Sequence, residues 1–206
     1  MKEILYATNN PGKVIEVSKL LEHNGIKVVT PKDLGIDLDV AETGQTLEEN
    51  ATLKAKAFVV LSEGRLVLSD DTGLEIDALG GEPGVHVRRW KDGETRMTDE
   101  EVISYCMEKM KDIPKEKRGA QFRTVLALAL PNGEIEIYDG NLRGEIQEKP
   151  DEIRVEGFPF NPLFYIPEWK MMLYQIHYLS PEEKEVHVNH RERALLKVIP
   201  RIKKLV

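Results

Sequence analysis

The stretch Leu66-Val67-Leu68-Ser69-Asp70-Asp71-Thr72-Gly73-Leu74 constrains this chain more than any other. A short apolar run, Leu66 to Leu68, reads as a buried strand, and it delivers two adjacent carboxylates to a strand end followed by Thr-Gly. Successive residues of an extended strand point to opposite faces. One Asp can therefore face a cavity while its neighbour faces the packing behind it, unless the backbone turns there. In α/β proteins, ligands bind beyond the carboxyl ends of strands. The local alternative is a solvated turn with Asx-type hydrogen bonds, and the segment alone does not choose between the two.

Near the amino terminus, Ile4-Leu5-Tyr6-Ala7 reads as a strand, followed by Thr8-Asn9-Asn10-Pro11-Gly12-Lys13 and an amphipathic helix. Val14, Val17 and Leu21 share one face of that helix, and Gly25 is a natural stop. A strand, a tight Asn/Pro/Gly turn and a helix amino terminus make a phosphate cradle. The turn offers backbone N–H groups, the helix dipole favours an anion, and Lys13 adds a positive charge. This is not a Walker loop, because the glycine spacing and the Lys-Ser/Thr pair are missing. An ordinary strand-to-helix turn with a solvated lysine remains the plain alternative.

A third segment runs from Glu42-Thr43-Gly44 to Ala55. Thr46 and Glu49 form a capping-box signature ahead of a helix that carries Leu47, Ala51, Ala55 and Phe58 at helical spacing. Glu49 thus has a structural explanation. Glu42, which lies ahead of the helix in a Thr-Gly turn, does not. Lys54 is helical and open to either a surface or a functional reading.

Elsewhere the chain shows neither repeats nor low-complexity linkers. Cys106 is the only cysteine, which excludes an internal disulfide and a multi-cysteine zinc site. It falls with Val102, Ile103 and Met110 on a helical stripe opened by the capping box Thr98 to Glu101, so a buried inert thiol is expected. Lys109 to Arg118 reads as a charged connection. Gln121 to Leu130 is a β-rich run, Pro131-Asn132-Gly133 turns it into Glu134 to Tyr138, and Leu142 to Gln147 should be a further strand. A last helix starts near Asn189 and runs to Leu205, with Pro200 expected to kink or interrupt it. Strands at both ends with helices between them indicate an α/β fold with a mixed, twisted sheet. The length of 206 residues suits one sizeable domain or a two-lobed one. With 29 basic and 36 acidic residues the net charge is −7, which argues against non-specific nucleic-acid binding. An acidic chain binding an acidic ligand needs local compensation, from a divalent metal and a few lysines. No targeting or membrane-spanning signal is visible, so neither a membrane nor a nucleic acid is an expected partner and the cytoplasm is the expected location.

Taken together, these segments resemble the inosine triphosphate pyrophosphatase (HAM1-like) family, which hydrolyses non-standard purine nucleoside triphosphates. The matching residues are Ala7-Thr8-Asn9 with Gly12-Lys13 and Glu16, Glu42-Thr43-Gly44, Glu49-Asn50-Ala51 with Lys54-Ala55, and Asp70-Asp71-Thr72-Gly73-Leu74. Asp77 to Gly81, Pro83-Gly84-Val85, Gly157-Phe158, Pro162-Leu163-Phe164 and His190-Arg191 with Ala194 follow in family order. The resemblance implies a single elongated domain of two lobes over residues 1–206, with the active site in the cleft between them. It implies a homodimer, a purine nucleoside triphosphate substrate and magnesium (Mg2+). Water attacks the α-phosphorus, releasing the monophosphate and pyrophosphate. By matching position, Glu42 is a metal ligand, Asp71 the general base that also contacts metal, and Asp70 a supporting residue. Lys13 and Lys54 hold the phosphates with Thr8, Asn9, Asn10, Pro11 and Gly12, and Thr72 stands where serine is usual. Phe158 stacks on the base, and His190 and Arg191 read its keto edge.

Three departures bear on the base-reading half. The usual Gly-Phe-Gly-Tyr-Asp-Pro loop is here Gly157-Phe158-Pro159-Phe160-Asn161-Pro162. Pro159 excludes positive φ, and Asn161 exchanges an anionic acceptor for a group with both donor and acceptor. Lys184, the best match for a substrate-binding lysine, stands one residue further from His190-Arg191 than the family pattern. Two readings therefore stay open: an active magnesium-dependent pyrophosphatase, or a nucleotide-binding sensor of the same fold with weak or shifted activity. The intact Glu42, Asp70, Asp71, Lys13 and Lys54 favour the enzyme, because binding alone needs no base beside a metal ligand.

Overall fold

The computed structural model describes residues 2–205. In chain order the chain forms β1 (Lys2–Tyr6), α1 (Pro11–His23), β2 (Ile26–Val29), α2 (Leu47–Val59) and β3 (Leu66–Ile76). Next come β4 (Pro83–Gly84), α3 (Asp99–Met110), β5 (Gly119–Ala129) and β6 (Ile135–Ile146). The last elements are β7 (Phe164–Ile166), β8 (Met171–Met172), α4 (Pro181–Val186) and α5 (His190–Leu205). The described strands make one eight-stranded sheet in the order β2-β1-β3-β5-β6-β7-β8, with β4 paired to β3. Strand β1 is parallel to β2 and β3, whereas β3–β4, β6–β7 and β7–β8 are antiparallel. The α/β class with a mixed sheet, read from the sequence, is the one observed.

Two compact units divide the chain. The first comprises Met1–Thr72, Thr124–Asn141 and His190–Val206; the second comprises Gly73–Arg123 and Leu142–Asn189. In the first unit, Ile4 and Tyr6, Leu66 and Leu68, and Leu126 and Leu128 alternate along β1, β3 and β5 and so share one face. Val17 and Leu21 of α1 and Leu195, Val198, Ile199 and Ile202 of α5 cover that face. The other face is buried too: Leu5, Val67 and Ser69 are fully enclosed, and the Ser69 hydroxyl donates to the Ala51 carbonyl of α2 at 2.6 Å. Burial on both faces explains why these strands read as continuous apolar runs. The helix ends follow their sequence signals. Asn10 caps α1 with Pro11 in its first turn, Gly25 takes a φ of 76° just past its end, and the Thr46/Glu49 capping box opens α2.

Three strand and helix expectations are corrected. Strand β3 does not end at the Asp pair but continues to Ile76, because Leu74 and Ile76 extend its apolar alternation into the core of the second unit. The two strands expected over Glu134–Tyr138 and Leu142–Gln147 are one strand, β6. Its Asp139-Gly140-Asn141 resembles a turn, but Gly140 is there for a close approach. A Cβ at that position would run into the His190 carbonyl and, at 2.5 Å, the Ala194 nitrogen of α5. Helix α5 runs through Pro200 without interruption. One interior proline costs about 3 kcal/mol, less than burial of four aliphatic side chains around it returns at roughly 1.5–3 kcal/mol each.

The second unit has its own core, including Trp90, Cys106, Met110, Phe122, Phe160 and Phe164. The Cys106 thiol is buried and free, and burial pushes it up to about 12, as an inert core thiol requires. The charged connection after α3 ends in a buried guanidinium. Arg118 donates to the Met110, Ile113 and Gln147 carbonyls at 2.5, 3.0 and 3.1 Å. The sequence reading did not anticipate β2, β4, β7, β8 or α4. The strands are two to four residues long, too short for a period to show. Helix α4 did carry a signal, a Ser180/Glu183 capping box.

Candidate active site

Alternation along β3 carries the site. Asp70 continues the series Leu66, Leu68 towards α1 and α5, while Asp71 continues Val67, Ser69 towards α2. Both are buried, at 1% and 7% exposure, yet they meet different partners.

On the α2 side, Asp71 Oδ2 accepts from the Asn50 side-chain amide at 3.0 Å, and Oδ1 lies 3.7 Å from the Lys54 ammonium. Lys54 also meets Glu42 Oε1 at 2.5 Å. Asn50 in turn accepts from the Gly44 N–H at 2.8 Å, which ties the Glu42-Thr43-Gly44 turn to the strand. Gly44 permits that approach, since a Cβ there would lie 2.6 Å from the Glu49 Cβ and 2.7 Å from Asn50 Oδ1. Burial lifts the Asp71 carboxyl above its ordinary value against the pull of Lys54 and Lys13. Glu42 moves the other way: burial opposes its charge, but the Lys54 ammonium prevails and holds it below the usual range. Lys54 stays charged for the converse reason, with Asp71, Asp70 and Glu42 outweighing its burial. A carboxylate pair of divergent basicity beside a cation suits an ionised ligand next to a proton acceptor.

On the α1 and α5 side, Asp70 is held on every hand. Its Oδ1 accepts from the Tyr6 hydroxyl at 2.7 Å, and its Oδ2 meets the Lys13 ammonium at 2.8 Å and Arg191 Nε at 3.4 Å. Burial opposes its ionisation, but the Lys13, Arg191 and Lys54 cations hold it far below the ordinary range. Arg191 also donates to Glu16 and, at 3.2 Å, to Thr72 Oγ1, which shares a 2.7 Å hydrogen bond with Thr124. With 2% exposure and its nitrogens engaged by Glu16, Asp70 and Thr72, Arg191 serves here as a clamp. Arg191, expected to read the keto edge of a base, is engaged by those three side chains in this structure. His190 is equally enclosed, and burial together with the Arg191 charge lowers it to about 3, so its ring is neutral.

In the segment expected to cradle phosphate, several turn amides already have acceptors. Asn10 Oδ1 already accepts from the Gly12 and Lys13 amides at 2.9 and 3.3 Å, and Thr8 Oγ1 accepts from the Asn10 amide at 3.2 Å. Those donors are engaged by the cap, which leaves Lys13 and the α1 dipole as the anion-attracting elements. Thr8 is half-buried, Asn9 and Pro11 are exposed, and Gly12 is half-buried.

Phe158, Pro159, Phe160, Asn161 and Lys184 belong to the second unit. Phe158 is half-buried, while Pro159, Phe160 and Asn161 are buried. The Phe160 ring packs against Trp90 and Phe122 at centroid distances of 6.0 and 6.2 Å, in the core of the second unit. The Asn161 amide donates to the Phe158 carbonyl at 3.1 Å, closing a tight turn. Lys184 lies half-buried on α4.

Sequence reasoning left Tyr6, Glu16, Asn50 and Thr124 without site roles. Asn50 had a legible signal, a polar residue between Leu47 and Ala51 on the buried stripe of α2. Tyr6 had none, because an aromatic residue in a strand reads as core.

The carboxylate set fits a hard cation. Lys54 bridges Glu42 and Asp71, so a single positive centre reaches both. Among the described residues no three His, Cys, Asp or Glu side chains converge as a metal cage. Glu42 and Asp71 offer the oxygen donors that a hard divalent cation takes.

Comparison with known proteins converges on one family. The Ham1 family model matches residues 4–201. A dITP/XTP pyrophosphatase of Symbiobacterium thermophilum is 37% identical over 208 residues, covering 100% of this chain and 97% of that protein. One from Bacillus subtilis is 39% identical over 199 residues, covering 96% of each. Among solved structures, the Staphylococcus aureus Ham1 protein superposes with a TM-score of 0.78 at 33% identity, covering all of both chains. A HAM1 protein from Coxiella burnetii gives 0.80 at 31% identity, covering 99% of this chain and 100% of that one.

Proposed function

The chain belongs to the Ham1 family, and from that premise we propose that it hydrolyses non-canonical purine nucleoside triphosphates (ITP, dITP, XTP) to the monophosphate and pyrophosphate. The observation that carries the reading is the division of labour across β3. A buried carboxylate of raised basicity, Asp71, stands beside an ionised one, Glu42, with Lys54 between them.

In this reading Asp71 accepts a proton from a water molecule as that water attacks the α-phosphorus. The bond from the α-phosphorus to the α–β bridging oxygen breaks, and the electron pair leaves with pyrophosphate. Lys13 and Lys54 stabilise the charge that shifts onto the phosphate oxygens, the largest contribution available in phosphoryl transfer. Glu42 and Asp71 would hold magnesium, which when bound neutralises part of the triphosphate charge. Phe158 stacks on the base and neutral His190 contributes to its recognition. With Asn161 in place of an acidic acceptor, discrimination between inosine and adenosine triphosphates is narrower than in relatives with aspartate there.

The same reading makes the protein a cytoplasmic homodimer. No described helix is long and apolar enough to cross a membrane, and light scattering on the purified protein measures the assembly. Retention of a base beside a metal ligand favours an enzyme over a nucleotide sensor. The deciding experiment is a panel of purine triphosphates scored for pyrophosphate and orthophosphate, with magnesium and with excess chelator. Pyrophosphate released with ITP or XTP only when the metal is present is the expected result. Orthophosphate as primary product, or full activity in chelator, overturns it.

A further inference from the structure

Tyr6 closes β1 one residue before the Ala7–Lys13 segment begins, and it pairs in register with Leu68 of β3. Its ring is fully buried in the apolar core with Leu66, Leu68 and Leu126. Packing of that kind needs only the ring. The hydroxyl does something else: it donates to Asp70 Oδ1 at 2.7 Å, across 64 positions of sequence. Among the described residues it is the one donor to that oxygen, whereas Oδ2 takes Lys13, Arg191 and Thr72 at 2.8, 3.4 and 3.5 Å. A carboxylate turns about its last side-chain bond, so a donor fixed on one oxygen fixes where the other points. Tyr6 sits on a parallel strand inside the core and is itself immobile. It therefore sets the angle at which Asp70 presents Oδ2 to the Lys13 ammonium.

We propose that Tyr6 is a positioning residue for phosphate binding, acting through Asp70 on Lys13. The proposal rests on the reading that Lys13 holds substrate phosphates. Without the hydroxyl, Oδ1 is a buried acceptor lacking a donor, and the carboxylate swings to find one. Lys13, 17% exposed, then loses its fixed anchor at the start of α1. Arg191, held also by Glu16 and Thr72, keeps its place.

The test uses inorganic tripolyphosphate as the probe, because it offers phosphates and no base, with binding followed by calorimetry on the purified protein. Tyr6→Phe keeps the ring and its packing. It should weaken tripolyphosphate binding about tenfold, the scale of one buried acceptor left without its donor. In a Lys13→Met background the same change should have no further effect, since the element it acts through is gone. A structural role would instead lower the melting temperature and leave the dissociation constant where it was. If Lys13→Met weakens binding while Tyr6→Phe does not, or if the two effects simply add, the role of Tyr6 is refuted and that of Lys13 stands. If Lys13→Met leaves binding unchanged, the reading of Lys13 fails and the proposal falls with it.

Discussion

Asp70 and Asp71 are adjacent, chemically identical and both buried, yet the two faces of β3 give them opposite characters. Asp70 is enclosed by Tyr6, Lys13, Arg191 and Thr72, and its charge is stabilised. Asp71 has two amide donors, the Asn50 side chain and the Thr72 backbone N–H, with a more distant lysine and a carboxylate neighbour, and its charge is destabilised by burial. A carboxylate whose ionised form is comfortable makes a good anchor and a poor base. One whose ionised form is uncomfortable makes a better base and adds nothing to folding at neutral pH. The comparison teaches that surrounding charge, not burial, separates the stabilised carboxylate from the destabilised one here.

The largest expected effect comes from Asp71→Asn, which should lower kcat by about 10²- to 10⁴-fold through loss of the base. Because the ionised Asp71 carboxylate is disfavoured in the folded state, its melting temperature at neutral pH should hold or rise. Steady-state kinetics and calorimetry on the same sample check both halves, and near-normal turnover in the folded variant would end the assignment. Asp70→Asn should behave in the opposite way. Breaking a buried pair costs about 3–5 kcal/mol, because Lys13 and Arg191 lose their counter-charge, so denaturant unfolding should shift strongly while kcat falls less than for Asp71→Asn. Equal stability of the two variants would erase the distinction between the faces.

Glu42→Gln probes the metal side of the Asp71 face. The magnesium concentration for half-maximal activity should rise at least by the roughly tenfold that even an outer partner of a metal site is worth. A metal titration reads it directly, and an unchanged midpoint would remove Glu42 from the ligand set.

The smallest effect concerns pH and the Asp70 face. His190 is lowered from the ordinary 6.5 to about 3 by burial and the Arg191 charge. The unfolded chain takes up a proton as pH falls through 6.5, and the folded chain does not until about 3. Stability is thus fully present above 6.5 and is lost progressively between 6.5 and 3. Asp70, depressed in the folded state, adds a loss only in more acidic solution, below the ordinary carboxylate range. His190→Gln should therefore flatten the decline of melting temperature between neutral and mildly acidic pH. A decline of the same slope would assign it to other groups.

Periodicity and capping chemistry are local, so the sequence alone determined the α/β class, the helix starts at Thr46 and Thr98, the inert Cys106 and the Asp pair as the centre of interest. Alternation on a strand even required the two carboxylates to part. What sequence left open is everything that depends on a partner far away in the chain. The strand looked broken between Tyr138 and Leu142 because nothing local reveals that α5 passes over Gly140. Tyr6 looked like core because its hydroxyl meets an Asp 64 positions on. Arg191 was expected at the edge of a base, and nothing local reveals that Glu16, Asp70 and Thr72 surround it. The charge state of a buried group is a sum over neighbours, each falling off with distance. Only the tertiary structure, by fixing those distances, gave Asp70 its stabilised charge and Asp71 its raised basicity.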